Sequence, residues 1–232
     1  MEAAKDTAAG SSLMRRMRRN RDVAITGLNA RMYDRQGRRY RQEEFRALAE
    51  QLAKRISEEK RVLEVALGSG YLAAELFRLG RTHIVGMDIS ADQVEIARAN
   101  AREAGAALEL VVGNVRNMPF ADSSFDFVLC FAAFKNFQDP SAALEEMRRV
   151  LAPGGTVIIG DMFSDISNLA IEEYLDQQNI RGMNRFFLER TFRFLRKGAY
   201  SHEELRELIG RAGFSSHEIE EGGIGFTLQL NK

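Results

Sequence analysis

Arg61-Val62-Leu63-Glu64-Val65-Ala66-Leu67-Gly68-Ser69-Gly70-Tyr71 is the stretch that decides the fold. It opens as an apolar run of strand length and then breaks into a turn with two glycines. From Tyr71 to Leu79, Leu72, Leu76 and Leu79 fall on one helical face before Gly80 ends it. Downstream the chain repeats the alternation. His83–Asp88 reads as a second strand; Ser90 then opens a helix, with Gln93 three residues on as reciprocal partner of a capping box, and Gly105 closes it. Leu108–Val112, Phe125–Phe131 and Thr156–Gly160 add three strands, with a helix near 142–150 between the last two. Strands separated by helices of this length pair in parallel through right-handed crossovers. The predicted class is therefore α/β, an open sheet with helices on both faces and ligands at the carboxyl ends of its strands.

The tail changes the vocabulary. Ser201-x-x-Glu204 caps a helix to about Ala212, and Phe214–Ile219 and Ile224–Leu230 follow with only Glu220-Glu221-Gly222-Gly223 between them. That spacing is too short for a helix, so these two strands form an antiparallel hairpin. Two stretches lie outside the alternation. Residues 22–60 form an N-terminal helical segment with Phe45, Leu48, Leu52 and Ile56 at helical spacing, expected over the active site. Residues 164–197 split by charge, with Asp165, Glu172, Glu173 and Asp176 first, then Arg181, Arg185, Arg190, Arg193, Arg196 and Lys197, which predicts a helical hairpin with complementary halves. Within 183–195, Met183, Phe186, Phe187 and Phe194 share one arc, and Leu188, Phe192 and Leu195 another. A surface helix needs one apolar face, so the second meets the underside of a lid over an apolar substrate, a partner subunit in a homodimer, or plain core. The expected organisation is a basic arm over 1–21, the helical segment 22–60, a core of 61–163 and 198–232, and a lid insertion over 164–197.

Composition narrows the function. The 232 residues are 45% hydrophobic and 28% charged with 3 Pro, enough apolar material for one generous globular domain. Lys+Arg and Asp+Glu both number 33, so no basic excess calls for nucleic acid or an anionic membrane, and a small-molecule partner is expected. A single Cys cannot form an intramolecular disulfide, no apolar run approaches membrane-spanning length, and the arm lacks the apolar run of a secretory signal. These features read as a soluble, cytoplasmic protein. No metal site is read from the sequence.

Chemistry gathers around the first turn. Glycines let backbone approach a ligand closely, and the helix that follows offers unpaired amides. Gly68-x-Gly70-x-x-Ala73 also fits a dinucleotide fingerprint. Asp88 ends the second strand, where a carboxylate can accept both ribose hydroxyls of a dinucleotide or of an adenosyl ligand. After the third strand, the Asn114 side-chain oxygen could accept from an adenine amino group while the Val115 amide donates to the ring; Asn114 also fits a plain turn residue. Ile89 can cover one adenine face, and Gln93 belongs with the same site.

Together with Phe125-Asp126-Phe127-Val128, Asp139-Pro140 and Leu151-Ala152-Pro153-Gly154-Gly155, these residues resemble the class I S-adenosylmethionine-dependent methyltransferases of the small-molecule, ubiquinone/menaquinone-methyltransferase-like group. The resemblance is close over about 61–161 and looser in the tail. It implies a Rossmann-like, mostly parallel seven-stranded sheet with an antiparallel last strand, and S-adenosyl-L-methionine as cofactor. Carried over by position, Glu64 faces the methionine amino group, Ala66, Gly68 and Gly70 form the loop, Asp88 holds the ribose, Asn114 and Val115 meet the adenine, and Phe131 lies at the methionine end. Three departures stand out. Ala66 replaces the usual first glycine, harmless if its backbone angles are ordinary; Asn114 replaces Asp; and Phe134-Lys135-Asn136 replaces Leu-His-His, removing a histidine base.

Methyl transfer from a sulfonium is an in-line displacement with a neutral leaving group, so positioning and water exclusion supply much of the acceleration. Tyr33, Lys135, Asn136, Asp161 and Tyr200 are the candidate acceptor contacts, Asp161 being best placed after the fifth strand. His83, His202 and His217 read as structural. The expected activity is methyl transfer to a small, partly apolar acceptor, with oxygen favoured over carbon or nitrogen. A non-catalytic adenosyl-binding regulator keeps the same cofactor residues. An NAD-dependent oxidoreductase would share the glycine loop and Asp88, but no Tyr-x-x-x-Lys pair stands in the expected region.

Overall fold

The computed structural model describes Asp22 and residues 24–232; the basic arm expected over 1–21 lies outside the described residues. Val62–Val65 (β1) is buried along its whole length because it is central, with Ile84–Asp88 (β2) parallel on one side and Phe125–Phe131 (β4) parallel on the other. Glu109–Val112 (β3), Leu151–Met162 (β5), Ser216–Gly222 (β6) and Gly225–Asn231 (β7) complete a seven-stranded sheet of order β3-β2-β1-β4-β5-β7-β6. β1 to β5 are parallel, and β7 runs antiparallel between β5 and β6. The chain builds outward from β1 through β2 to β3, then crosses back to β4. That reversal opens a crevice at the carboxyl ends of β1 and β4.

Alternate residues of the strands feed two layers. On one face Leu63, Val65 and Val128 pack with Leu144 and Met147 of Pro140–Val150 (α5) and with Leu205 and Leu208 of His202–Arg211 (α8). On the other, Val62, Ile84 and Ile158 meet Leu72 and Leu76 of Tyr71–Arg78 (α3), together with Ala49 and Leu52 of Gln42–Ala53 (α2) and Ile56 just beyond it. Within 22–60, α2 thus belongs to the layer that covers the sheet, and Gly27–Tyr40 (α1) is the helix that borders the crevice through Tyr33. Ala91–Glu103 (α4) follows β2.

The last hairpin and β5 differ from the sequence reading at their boundaries. The last hairpin turns at Gly223-Ile224, two residues later than expected, because Gly222 pairs with Gly225 and Gly223 supplies the positive φ of +58°. β5 begins at Leu151, since Phe125 already pairs with it before the register shifts around Pro153-Gly154-Gly155.

Residues 164–197 hold Asn168–Gln177 (α6) and Gly182–Leu195 (α7), joined by ion pairs Arg193–Glu172 and Arg185–Asp176. Leu188, Phe192 and Leu195 pack on Ile171, Leu175 and Ala199, with the Phe192 ring edge-on to Tyr174 at 5.8 Å. The other arc of α7 faces solvent. Phe192→Ala should therefore cost about 1–2 kcal/mol, a fraction of a fully buried side chain's contribution, and Phe187→Ala should stay within about 0.5 kcal/mol. Urea unfolding of the two variants checks this, and equal losses would mean that the outer arc is packed as well.

Candidate active site

The β1–α3 turn and the end of β2 are tied by one carboxylate. Asp88 Oδ2 accepts the Gly68 amide at 3.0 Å and Oδ1 the Ser90 amide at 2.8 Å. Burial raises the Asp88 carboxyl above its ordinary range, against the backbone donors of Ser90, Gly68 and Ile89. Gly70 has φ +75°, and a Cβ there would sit 2.9 Å from Ala97 Cβ, so glycine lets α3 start hard against α4. Ser90 caps α4 by accepting the Gln93 amide at 3.2 Å, but the return half of the expected capping box is missing, because the Ser90 amide already serves Asp88. The Gln93 side chain instead accepts from Ser69 Oγ at 3.3 Å, and its buried Nε2 has no hydrogen-bond partner among the described residues.

Ala66 does not have ordinary angles. Its φ is +53°, in the left-handed region where a Cβ is strained, so the condition under which the missing glycine would be harmless is not met. Relief of about 1–2 kcal/mol of strain against about 0.4–1 kcal/mol of added chain entropy predicts that Ala66→Gly raises stability by roughly 0.5–1 kcal/mol. Thermal unfolding should show a melting point a few degrees higher; a lower one would place the strain elsewhere.

Behind this turn, Glu64 is buried on β1 and its Oε2 has no hydrogen-bond partner among the described residues. Burial pushes its carboxyl up to about 8; the Ala73 backbone opposes the shift and the Asp88 charge adds to it. In front lies a cavity of about 410 Å³, within the range of small-molecule sites. Ala66, Gly68, Asp88, Ile89, Gln93, Asn114, Val115 and Phe131 line it from the sheet side, and Tyr33, Lys135 and Asn136 also line it. The Tyr33 ring lies over Gly68, whose added Cβ would be 3.3 Å from it.

Other expected residues fall elsewhere. Glu64 and Gly70 are not among the lining residues, and neither are Asp161 and Tyr200. Asp161 is sequestered, with Oδ1 accepting from Lys135 Nζ at 2.8 Å and from the Met162 amide at 2.8 Å, and Oδ2 accepting the Lys135 amide at 2.9 Å. The Lys135 ammonium also donates to the Ala132 carbonyl at 2.7 Å, so the pair anchors the short 3₁₀ turn Phe134–Asn136 to the end of β5. Tyr200 is buried with its ring 5.3 Å from Phe134, inside the core rather than at the cavity wall. Asn114 is a turn residue as well as a lining one: its oxygen accepts the Arg116 amide at 2.9 Å and its Nδ2 donates to Asp22 at 3.4 Å. His202 stacks on Phe163 at 3.6 Å and pairs with Asp165, which raises it above the ordinary histidine range; His83 is exposed just before β2, and His217 is exposed on β6. Burial holds the Cys130 thiol protonated.

Sequence reasoning missed Asp22 and Arg41, which also line the cavity, as does Leu195 from the inner arc of α7. Asp22 accepts the Gln138 amide at 2.9 Å and pairs with Arg116 at 2.8 Å. No local signal could have found it. Arg41 is held by Glu44 through Nε and Nη2, both at 2.9 Å, and the Arg41-x-x-Glu44 spacing was legible even though its direction was not.

The arrangement fits an adenosyl ligand with a cationic amine. An unpartnered carboxyl oxygen on Glu64 suits a cation, an unpartnered Gln93 Nε2 suits an acceptor, and Asp88 ends β2 at the rim beside exposed Ile89. A family model described as a methyltransferase domain matches residues 63–159. Over 101 residues the chain is 39% identical to a demethylmenaquinone methyltransferase of Deinococcus radiodurans, a match spanning 43% of this chain and 42% of that protein. Over 181 residues it is 32% identical to the chloroplastic 2-phytyl-1,4-beta-naphthoquinone methyltransferase of Arabidopsis thaliana, covering 71% of this chain and 69% of that one. The chain belongs to the class I S-adenosylmethionine-dependent methyltransferases. The methyltransferase fold extends to a solved structure of a putative S-adenosyl-L-methionine-dependent methyltransferase from Methanococcus maripaludis, with TM-score 0.67 at 24% identity over 88% of this chain and 92% of that one. The bacterial relative is matched over less than half of its own length. Among the described residues no helix is long and apolar enough to cross a membrane.

Proposed function

We propose that this chain transfers the methyl group of S-adenosylmethionine to a small, partly apolar organic acceptor with quinone-like ring chemistry, at oxygen in preference to carbon or nitrogen. The observation that carries the reading is the pair of unsatisfied buried atoms, Glu64 Oε2 and Gln93 Nε2, beside a cavity walled by Ile89, Phe131 and Tyr33. When bound, S-adenosylmethionine supplies an electrophilic methyl on a sulfonium. Glu64 would hold its amino group, Asp88 its ribose hydroxyls, Val115 and Asn114 the adenine edge, Ile89 the adenine face and Phe131 the methionine end, with Ala66, Gly68 and Gly70 shaping the loop. Tyr33, Asn136 and the Lys135 ammonium would meet the acceptor, Lys135 favouring an anionic oxygen nucleophile. Asp161 and Tyr200 would act as positioning residues, through Lys135 and through Phe134. Closure of α1 and α7 over the acceptor is supported by Tyr33 and Leu195, one from each helix, at the cavity wall. A single buried Cys130 supports a reducing compartment, the cytoplasm in this reading, and balanced charge supports a small molecule over nucleic acid.

The test supplies methyl-13C S-adenosylmethionine with a panel of demethylated naphthoquinols and phenols and reads the product carbon by NMR. A methoxy signal is expected. A ring-methyl signal would reassign the acceptor atom, cofactor binding with no product across the panel would favour the non-catalytic adenosyl-binding protein, and tighter binding of NAD would overturn the assignment.

A further inference from the structure

The outward arc of α7 is an exposed apolar surface. Met183, Phe186, Phe187 and Phe194 are 68%, 54%, 59% and 72% exposed, and helical spacing sets them within one third of the helix circumference. Arg190 lies in the same arc with its guanidinium over the Phe186 ring at 5.8 Å. Residues 181–197 carry six cations and one acid, a net charge of +5. Glu172, Glu189 and Asp176 engage Arg193 and Arg185, whereas neither Arg190 nor Lys197 meets a carboxylate among the described residues. A helix with aromatic side chains outward, cations among and beside them and a second apolar arc fixed to the protein has the chemistry of an interfacial anchor.

We propose that α7 docks this protein on the surface of an anionic lipid bilayer, with Phe186, Phe187 and Phe194 in the acyl boundary and Arg190 and Lys197 at the headgroups. Charge complementarity favours this occupant over a second copy of the chain. A two-fold contact would set the patch against itself, bringing Arg190 and its basic neighbours to face their own images. Position adds to the argument. Leu195, next to Phe194, lines the cavity, so the docked helix sets the rim of the site against the bilayer. The inference concerns the surface alone and holds whatever atom the site methylates.

The chain contains no tryptophan, which makes Phe187→Trp a unique reporter. Vesicles of phosphatidylcholine with phosphatidylglycerol should sediment the protein, shift the Trp emission to the blue and allow its quenching by brominated lipid; vesicles of phosphatidylcholine alone should do so far less. Phe186→Ser with Phe187→Ser in the otherwise native chain should lower partitioning roughly tenfold or more. Arg190→Gln and Lys197→Gln should each weaken it roughly fivefold at low salt. Because all four side chains are exposed, unchanged circular dichroism melting is expected. Vesicle binding that survives the Phe changes, or that leaves the Trp emission unshifted, would assign it to another part of the chain and overturn the proposal. So would a concentration-dependent dimer that the same changes abolish, with no vesicle binding by the native chain.

Discussion

Asp161→Ala should destabilise the fold by about 3–5 kcal/mol, as removal of one partner from a buried ion pair does. The side chains of Lys135 and Asp161 are 6% and 2% exposed, so neither charge has water to fall back on. The loss is compound: the Lys135 ammonium keeps the Ala132 carbonyl but loses the Asp161 carboxylate, and the amides of Lys135 and Met162 lose their side-chain acceptor. Lys135→Met combined with Asp161→Leu should recover part of the stability, since an apolar pair leaves no charge stranded. Denaturant titration of the two single variants and their double should give a coupling of more than about 1 kcal/mol. A loss below about 1 kcal/mol for Asp161→Ala would mean that the carboxylate is solvated and free for chemistry.

Glu64→Gln should lower affinity for S-adenosylhomocysteine by roughly a hundredfold, the scale of a desolvated, charge-assisted contact. The same change has a pH signature in the empty protein. The Glu64 carboxyl stands near 8 in the fold against an ordinary 4.5, so between those values the native state holds a proton that the unfolded chain has released. Stability therefore falls as pH rises from about 4.5 towards 8 and is level beyond, and Glu64→Gln should flatten that slope. A cationic amine placed at Glu64 favours the charged carboxylate, so binding at neutral pH should expel a proton. Calorimetry in buffers of different ionisation enthalpy reads that release directly. Equal proton release by the native chain and the variant would move the amine contact away from Glu64.

What the sequence made legible was local. The run Val62–Val65, the Gly68-Ser69-Gly70 turn, Asp88 at the end of the second strand and the Ser201–Glu204 cap are each written in fewer than about ten consecutive residues, where periodicity and turn chemistry act. What stayed hidden was made by contacts across the chain. Asp161 looked like an acceptor contact because the fifth strand read as ending at Gly160, whereas β5 runs on through it to Met162 and the fold brings Lys135 over it. Tyr200 lies beside the end of β5 through a bridge with Phe163, but its ring turns inward to Phe134. Asp22 meets Asn114 and Gln138 from 92 and 116 residues away. The angle at Ala66 was hidden for another reason: the family pattern places glycine there, and an alanine gives no sign of whether it has kept the turn or relaxed it.

β6 closes one end of the sheet, and a terminal strand presents a row of unpaired amides and carbonyls on which another chain can add. Here that strand carries Glu218, Glu220 and Glu221, all exposed, and the opposite end is the four-residue β3. A neighbouring molecule approaching β6 edge-on would have to stack its own carboxylates beside these, and β3 offers too short a template to hold one. The hairpin that finishes the fold thereby also guards it against polymerising through its own sheet.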